Sequence, residues 1–292
     1  MKKILIVTGG SGGHVFPSLS MYDHLKDHFD VSLATDYRGS KYINKIKYKS
    51  ILIDVPNLFS NIYLLPFKII KFFLSIIKSF SYLKKNHINF LISTGGYMCL
   101  PLCIASWFLN IKIFIFEPNS VLGRTNRIIL RISKKIICYD ENIKLFPKKF
   151  SNKIYIINPI LRKNIYSQKK NKNTTFNEIK KILIIGGSQG AKFFDENLSK
   201  VILKISKEFK IEVCQQIWNK NQINLLEQDY NKYGIKHRLF NFDENLFENN
   251  NDYDLAITRA GASAISELSQ LNIPFVAIPF PFAKDNHQYF NA

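Results

Sequence analysis

Two short apolar stretches of this chain each run into a glycine-serine loop that opens a helix. The first is Ile4-Leu5-Ile6-Val7-Thr8-Gly9-Gly10-Ser11-Gly12-Gly13-His14, and the second is Ile182-Leu183-Ile184-Ile185-Gly186-Gly187-Ser188-Gln189-Gly190-Ala191. The first N–H groups of a helix have no intrahelical partner, so a glycine loop leading into one presents free donors to an anion. Two such units, one in each half of the chain, predict two α/β domains with a ligand between them.

The spacing of the other apolar stretches agrees. Strands are expected at 4–8, 31–35, 51–54, 90–93, 111–116, 136–138 and 154–157, and then at 182–185, 211–215, 254–258 and 275–278. Helical patterns fall between them, and that alternation implies parallel sheets. Pro17 marks a point where the first helix can begin, with its end near Leu25. The polar stretch 163–181 reads as an interdomain linker or exposed loop, which divides the chain into 1–162 and 182–292. The final segment, from Pro279 to Ala292, reads as a loop entering a helix that is cut short, so the second domain is expected to be incomplete.

Residues 58–83, LFSNIYLLPFKIIKFFLSIIKSFSYL, are strongly apolar yet carry Lys68, Lys71 and Lys78. A membrane-spanning helix tolerates few charges over about 20 residues. The stretch reads as one or two helices with a greasy face and its lysines on one side, Pro66 fitting a helix start. It suits either a core helix of a parallel unit or a surface lying on anionic headgroups.

With 292 residues, 46% of them hydrophobic, the chain is long enough for two cores. Its 41 Lys and Arg against 22 Asp and Glu give a net charge of +19. Nucleic acid, an anionic membrane and a phosphorylated substrate could each answer that charge. Abundant Lys, Asn and Ile point to an AT-rich genome as part of its origin. No nucleic-acid motif is present and the aromatics do not interleave with a basic patch, so nucleic acid is not an expected partner. Cys99, Cys103, Cys138 and Cys214 form no CxxC pair and read as core thiols of a reducing compartment. With the first strand starting near residue 4 and no leader ahead of it, a cytoplasmic location is expected.

The glycine loops fail the standard nucleotide patterns. Neither has the GxxxxGK[ST] of a P-loop. From Gly10, Val15 stands where a dinucleotide fingerprint needs its third glycine, and Asp36 alone supports a ribose-binding acid. Gly-Gly-Ser-Gln-Gly-Ala instead suits the diphosphate of a nucleotide-sugar. His14, at a helix start that disfavours the imidazolium, could accept a proton from a hydroxyl or serve as a structural histidine. His24, His28, His87 and His237 read as surface or packing residues, whereas His287 falls in the polar cluster Lys284, Asp285, Asn286 and Gln288. Glu117 and Asn119 close a strand where open α/β sheets bind ligands, and Asn126 lies a helical turn or more beyond. Arg259 could meet phosphate or fix a loop, and Glu267 could accept from ribose hydroxyls. No His/Cys/Asp grouping has metal-ligand spacing, and no GxSxG elbow appears.

Six segments in order, TGGSGGHVFPSLS at 8–20, STGGYMCLP at 93–101, FEPNSVLGRTNR at 116–127, IIGGSQGAK at 184–192, TRAGASAISEL at 258–268 and PFPFAKDNHQYFNA at 279–292, resemble the MurG family of lipid-linked UDP-N-acetylglucosamine transferases. The resemblance implies a GT-B fold, two Rossmann-like domains whose parallel sheets face across a cleft. It implies transfer of GlcNAc from UDP-GlcNAc, with inversion, to the C4 hydroxyl of MurNAc in lipid I, giving lipid II and UDP in peptidoglycan synthesis. His14 would be the base, with Glu117 assisting. The N-terminal domain would receive the lipid acceptor, its diphosphate near the glycine loops at Gly12-Gly13 and Gly95-Gly96, and Ser11, Asn119 and Asn126 would be further substrate-binding residues. The donor would meet Ser188 and Gln189 at its diphosphate, Glu267 at its ribose, and Gln288 with Asn291 at its sugar. Arg162 or Arg259 would offset the leaving charge, with no metal and no cofactor. The expected partners are lipid I, the anionic inner-membrane surface at its cytoplasmic face, and cell-wall synthesis proteins. The chain departs from the family pattern at Phe116, which replaces a histidine, and at Arg162, one position late after Asn158-Pro159. It departs again at Gln215-Gln216-Ile217-Trp218, where a glycine is lost, and the register near Phe240–Leu246 is not fixed by the sequence. Other readings are another lipid-acceptor GT-B transferase, a UDP-GlcNAc epimerase, or a catalytically impaired binding relic.

Overall fold

Strand β1 (Lys3–Val7) has four successive buried apolar residues, the mark of a parallel strand covered on both faces. In the computed structural model, which describes all residues except 11, 57–61, 169–178, 188–191, 244 and 248–251, the strand is an interior one, third in a seven-stranded sheet. Helix α1 (Gly12–Leu25) leads to β2 (Asp30–Thr35), which pairs with β1 through Ile4↔Val31 and Ile6↔Leu33. A short α2 (Tyr37–Ser40) and β3 (Ser50–Leu52) follow, then α3 (Leu65–Lys85) and β4 (Phe90–Ser93). The chain continues through α4 (Cys99–Phe108), β5 (Lys112–Glu117), α5 (Arg124–Ile129), β6 (Lys135–Cys138) and β7 (Ile154–Ile156).

The strand order is β3-β2-β1-β4-β5-β6-β7, every pair parallel. Side chains alternate across the sheet. Leu5, Val7, Leu91, Ile113 and Ile115 pack with Leu102 and Leu122 on one face. Ile4, Ile6, Leu33, Ile92 and Phe116 pack with Val15 and Leu19 on the other. Burying each such side chain contributes about 1.5–3 kcal/mol. Because β2 and β4 flank β1 on opposite sides, the switch point of the sheet falls at the carboxyl ends of β1 and β4, where open α/β sheets hold their ligand crevice.

Two expectations change here. The first helix begins at Gly12, not Pro17, and Pro17 lies in its interior. That proline removes one intrahelical donor, while Ser18 Oγ donates to the His14 carbonyl at 2.8 Å nearby. The greasy stretch is a single α-helix after a 3₁₀ turn, but it is not mainly a core helix. Its buried residues are Ser75, Ser79 and Leu83, with Phe72, Ile76 and Tyr82 partly buried. Phe67, Ile70, Phe73, Leu74, Ile77 and Phe80 are exposed, as are Lys71 and Lys78, whereas Lys68 is half-buried. Trp107 and Phe108 at the end of α4 are exposed as well. Among the described residues no helix is long and apolar enough to cross a membrane.

The chain divides into two units, Met1–Arg162 and Lys163–Ala292. Within the 163–181 stretch, Lys163–Ser167 is helix α6 and Ile179 already begins β8 (Ile179–Ile185), so these parts are regular rather than linker. The second unit continues with α7 (Lys192–Ile205), β9 (Lys210–Gln216), α8 (Ile223–Lys232) and β10 (Lys236–Phe240). It ends with β11 (Leu255–Thr258), α9 (Ala262–Gln270), β12 (Phe275–Ala277) and α10 (His287–Asn291). The order β10-β9-β8-β11-β12 repeats the arrangement of the first sheet, with a switch point between β8 and β11.

Candidate functional site

In the first unit the loops after β1, β4 and β5 converge. A Cβ on Gly9 would lie 2.2 Å from Met98 Cγ, so only glycine lets the first loop pass the start of α4. Gly95 has φ +97°, a backbone that side chains rarely adopt, and a Cβ there would sit 3.2 Å from His14 Cε1 and 3.3 Å from Asn126 Nδ2. Gly95 thus brings His14 and Asn126 to the same point of the crevice. The backbone beneath His14 is fixed from two sides: Ser18 Oγ donates to its carbonyl, and Thr94 Oγ1 lies 3.4 Å from the same oxygen. Gly12 is buried and Gly13 exposed in the first turn of α1.

Glu117 is 2% exposed and its carboxylate accepts four hydrogen bonds. Oε1 takes Asn119 Nδ2 at 3.0 Å and the Asn119 N–H at 3.3 Å. Oε2 takes the Gly123 N–H and Asn126 Nδ2, both at 2.9 Å. Uncharged donors occupy both oxygens, so the geometry makes Glu117 a holder of the β5–α5 loop rather than a proton acceptor. It fixes Asn126, whose Oδ1 is buried and bonds to no described group.

Asp36, buried at the end of β2, is the residue that sequence reasoning set aside. Its Oδ1 accepts the N–H groups of Gly39 at 2.8 Å and Gly10 at 3.2 Å. Its Oδ2 accepts Arg38 Nη2 at 3.0 Å and Nε at 3.2 Å. Arg38 lies over the Tyr97 ring, 5.0 Å from the centroid. Burial pushes the Tyr97 phenol up, and the Arg38 charge opposes it. The only sequence signal for this cluster was an acid at a strand end.

In the second unit, Gly186 donates to Gln216 Oε1 at 3.0 Å, and Gln216 Nε2 donates to the Asn241 carbonyl at 3.0 Å. The loop after β8 is therefore held from β9 and from the end of β10. Asp195 on α7, also missed from sequence, accepts the N–H groups of Trp218 and Asn219 at 2.9 and 3.3 Å. Desolvation raises the Asp195 carboxyl, and those two donors oppose it. Ser11, Ser188 and Gln189 lie outside the described residues.

Arg259 makes the contacts of a loop-fixing residue. Its Nη1 donates to the carbonyls of Pro279 and Ile278 at 3.1 and 3.2 Å. Its guanidinium stands over Phe194, Phe193 and Phe280 at 4.7, 5.5 and 5.5 Å. Desolvation lowers this arginine from its ordinary value. Gln288 Oε1 accepts the Phe280 N–H at 2.8 Å, and Asn291 Nδ2 donates to the Ala260 carbonyl at 3.1 Å. Both close the same loop region around β11 and β12. Glu267 lies partly buried on α9, and Arg162, partly buried, ends the first unit. Among the described residues, no three His, Cys, Asp or Glu side chains group closely enough to hold a metal ion.

Two parallel sheets, each with glycine loops at its switch point, make the two-domain α/β architecture of the GT-B fold, and the family matches set the class as a UDP-sugar glycosyltransferase. Residues 4–138 match the glycosyltransferase family 28 N-terminal domain, and residues 181–292 match the glycosyltransferase family 28 C-terminal domain. The chain is 47% identical to a Pelagibacter ubique protein and 35% identical to a Rickettsia canadensis protein. Each alignment spans 100% of this chain, with 81% and 82% of the relative, respectively. Both relatives are named UDP-N-acetylglucosamine--N-acetylmuramyl-(pentapeptide) pyrophosphoryl-undecaprenol N-acetylglucosamine transferase. The crystal structure of Acinetobacter baumannii MurG superposes with a TM-score of 0.74 at 25% identity, covering 100% of this chain and 82% of that one. The chain belongs to the MurG family of glycosyltransferase family 28.

Proposed function

We propose that this chain transfers N-acetylglucosamine from UDP-GlcNAc to the C4 hydroxyl of MurNAc in undecaprenyl-diphospho-MurNAc-pentapeptide, forming lipid II and UDP. The observation that carries the reading is the meeting of His14 and Asn126 at Gly95. His14 takes the proton as the C4 oxygen attacks the anomeric carbon from the face opposite the diphosphate. The bond to that diphosphate breaks, UDP leaves with its electron pair, and the new linkage is β. Asn126, fixed by Glu117, orients the acceptor. Gly12 and Gly13, in the first turn of α1, face the acceptor, and Ser11 and Asn119 are read as further acceptor-binding residues.

On the donor side the loop opened by Gly186 and Gly187, with Ser188 and Gln189, receives the diphosphate. Glu267 accepts from ribose hydroxyls, and Gln288 and Asn291 address the sugar. Arg259 acts by holding the Ile278–Pro279 backbone in place, which leaves Arg162 as the cation for the departing charge. The reaction so read uses two substrates and no cofactor. The exposed apolar face of α3, edged by Lys71 and Lys78, supports residence on the cytoplasmic face of the inner membrane, where the acceptor's lipid lies.

The test is radiolabelled UDP-GlcNAc with a short-chain lipid I analogue, product lipid being counted. His14→Ala is expected to lower kcat at little cost in substrate affinity, and Glu267→Ala to weaken UDP-GlcNAc binding. A Glu267→Ala protein with wild-type donor affinity refutes its assignment, and absence of labelled lipid from the wild-type chain refutes the reaction.

A further inference from the structure

We propose that Arg38 is an acceptor-binding residue, gripping the diphosphate between the lipid and the MurNAc. The proposal rests on the lipid-linked acceptor read above. Asp36 is 4% exposed, and it sets the guanidinium plane by taking both Nε and Nη2 on one oxygen. Its other oxygen holds the Gly10 N–H, so one carboxylate fixes the first glycine loop and the arginine together. Tyr97, from the loop after β4, supports the guanidinium face. Arg38 Nη2 lies 3.6 Å from the point where a Cβ on Gly10 would sit, so the cation rests against the first glycine loop.

Stability alone does not account for this arrangement. The arginine side chain is 53% exposed, and a half-exposed ion pair returns little once the entropy of a long side chain is lost. What the geometry does supply is a pre-oriented fork. Among the described residues Nη1 donates to no other group, so an edge of the guanidinium remains for an oxyanion. The first turn of α1 lies in the adjoining loop and favours the same charge. An anion with oxygens on two linked phosphorus atoms can take the fork with one phosphate and the helix start with the other, and so engages more donors than a single phosphate.

The experiment measures binding of farnesyl diphosphate, in detergent, to the full chain by calorimetry. Farnesyl monophosphate, inorganic diphosphate and UDP-GlcNAc serve as comparison ligands. Arg38→Gln is expected to weaken farnesyl diphosphate binding at least tenfold, to weaken the monophosphate less, and to leave UDP-GlcNAc unchanged. Arg38→Lys should fall between, because it keeps the charge and loses the fork. Lys45→Gln, an exposed charge removed from the same segment, should bind as wild type. A thermal midpoint for Arg38→Gln near that of the wild type shows that the loss is local, and a lowered midpoint shifts the decision to Arg38→Lys. The proposal is overturned if Arg38→Gln binds farnesyl diphosphate as the wild type does, if UDP-GlcNAc binding falls equally, or if the wild type does not prefer farnesyl diphosphate to the monophosphate. Inorganic diphosphate binding as tightly as the prenyl form would assign the site to free diphosphate and overturn the acceptor role. Product formation with an unchanged acceptor KM in Arg38→Gln sinks this inference alone. Arg38-dependent prenyl diphosphate binding without product sinks the transferase reading alone.

Discussion

Replacing Phe73 and Ile77 together by serine tests the membrane reading at its most exposed point. The two residues lie one turn apart on the outer face of α3, 60% and 64% exposed. Full burial of such a side chain is worth about 1.5–3 kcal/mol, so the exposed share of each is worth about 1–2. Together they would contribute about 2–4 kcal/mol to partitioning into the headgroup boundary, or about 30- to several-hundred-fold in affinity. The covered share of each side chain is worth about 0.5–1 kcal/mol to folding, so the double variant should melt somewhat lower and remain folded. The assay is sedimentation with vesicles rich in phosphatidylglycerol, with circular dichroism and thermal melting as controls. Lys71→Gln with Lys78→Gln should weaken binding to those vesicles, by about 1 kcal/mol per lysine, and leave binding to neutral vesicles unchanged. Wild-type vesicle affinity in the Phe73→Ser, Ile77→Ser protein would refute the reasoning, because no other described helix of the first unit presents so long an apolar face.

Three further outcomes follow from the geometry. Glu117→Gln sets an amide N–H₂ against donors now received by the carboxylate, and should cost about 2–4 kcal/mol in the first unit's stability along with turnover; a thermal midpoint equal to wild type would contradict the four-donor arrangement. Gly95→Ala adds strain at φ +97° and displaces His14 and Asn126, so kcat should fall at least tenfold while UDP-GlcNAc affinity, measured by calorimetry, stays unchanged. Burial pushes the Cys99 and Cys138 thiols up to about 12, and Cys103 and Cys214 upward too, so Ellman's reagent should label four thiols only after denaturation. Because the folded thiols keep protons that the unfolded chain releases above about pH 9, stability should fall as pH rises from there toward 12.

The strands were legible because a buried parallel strand is a continuous apolar run, and Ile4–Val7 and Ile182–Ile185 each end at glycines. The start of α1 was not, because Pro17 imitates a first-turn proline while two glycines, poor helix formers, open the helix. The apolar pattern of α3 identified a helix but could not say which side faces inward. Ser75 and Ser79 face the protein, and their small size lets α3 approach α4 closely while the large apolar residues stay outside. The donors on Glu117 lie two, six and nine residues downstream, a local pattern that composition does not reveal. The cage around Arg259 joins Phe193 and Phe194 to Phe280, residues that only the tertiary fold brings together. Site residues at strand ends could thus be named from sequence, but whether each binds a ligand or holds a loop depends on partners from other elements.

The same distinction explains how the chain accommodates its departures from the family pattern. Phe116, in place of a histidine, is fully buried and meets the Tyr139 ring edge-to-face at 5.7 Å. The Tyr139 hydroxyl accepts the Ile160 N–H at 3.0 Å, and the Leu161 carbonyl is bonded by His24 Nε2 at 2.9 Å. One tyrosine therefore fixes both the strand end that carries Glu117 and the segment where the arginine has shifted to Arg162, so the two changes are compensated by a common neighbour. After β9 the lost glycine imposes no strain, because Trp218 does not adopt a positive φ. Its N–H is held by Asp195 and its side chain, 47% exposed, extends away from the packed interior. Gln216 meanwhile keeps the contact that matters to the glycine loop, its amide joining the Gly186 N–H to the Asn241 carbonyl. A glycine is indispensable where the backbone needs positive φ or close approach, as at Gly95 and Gly9. Position 218 meets neither condition, so the loop after β8 keeps its support from Gln216 without a glycine there.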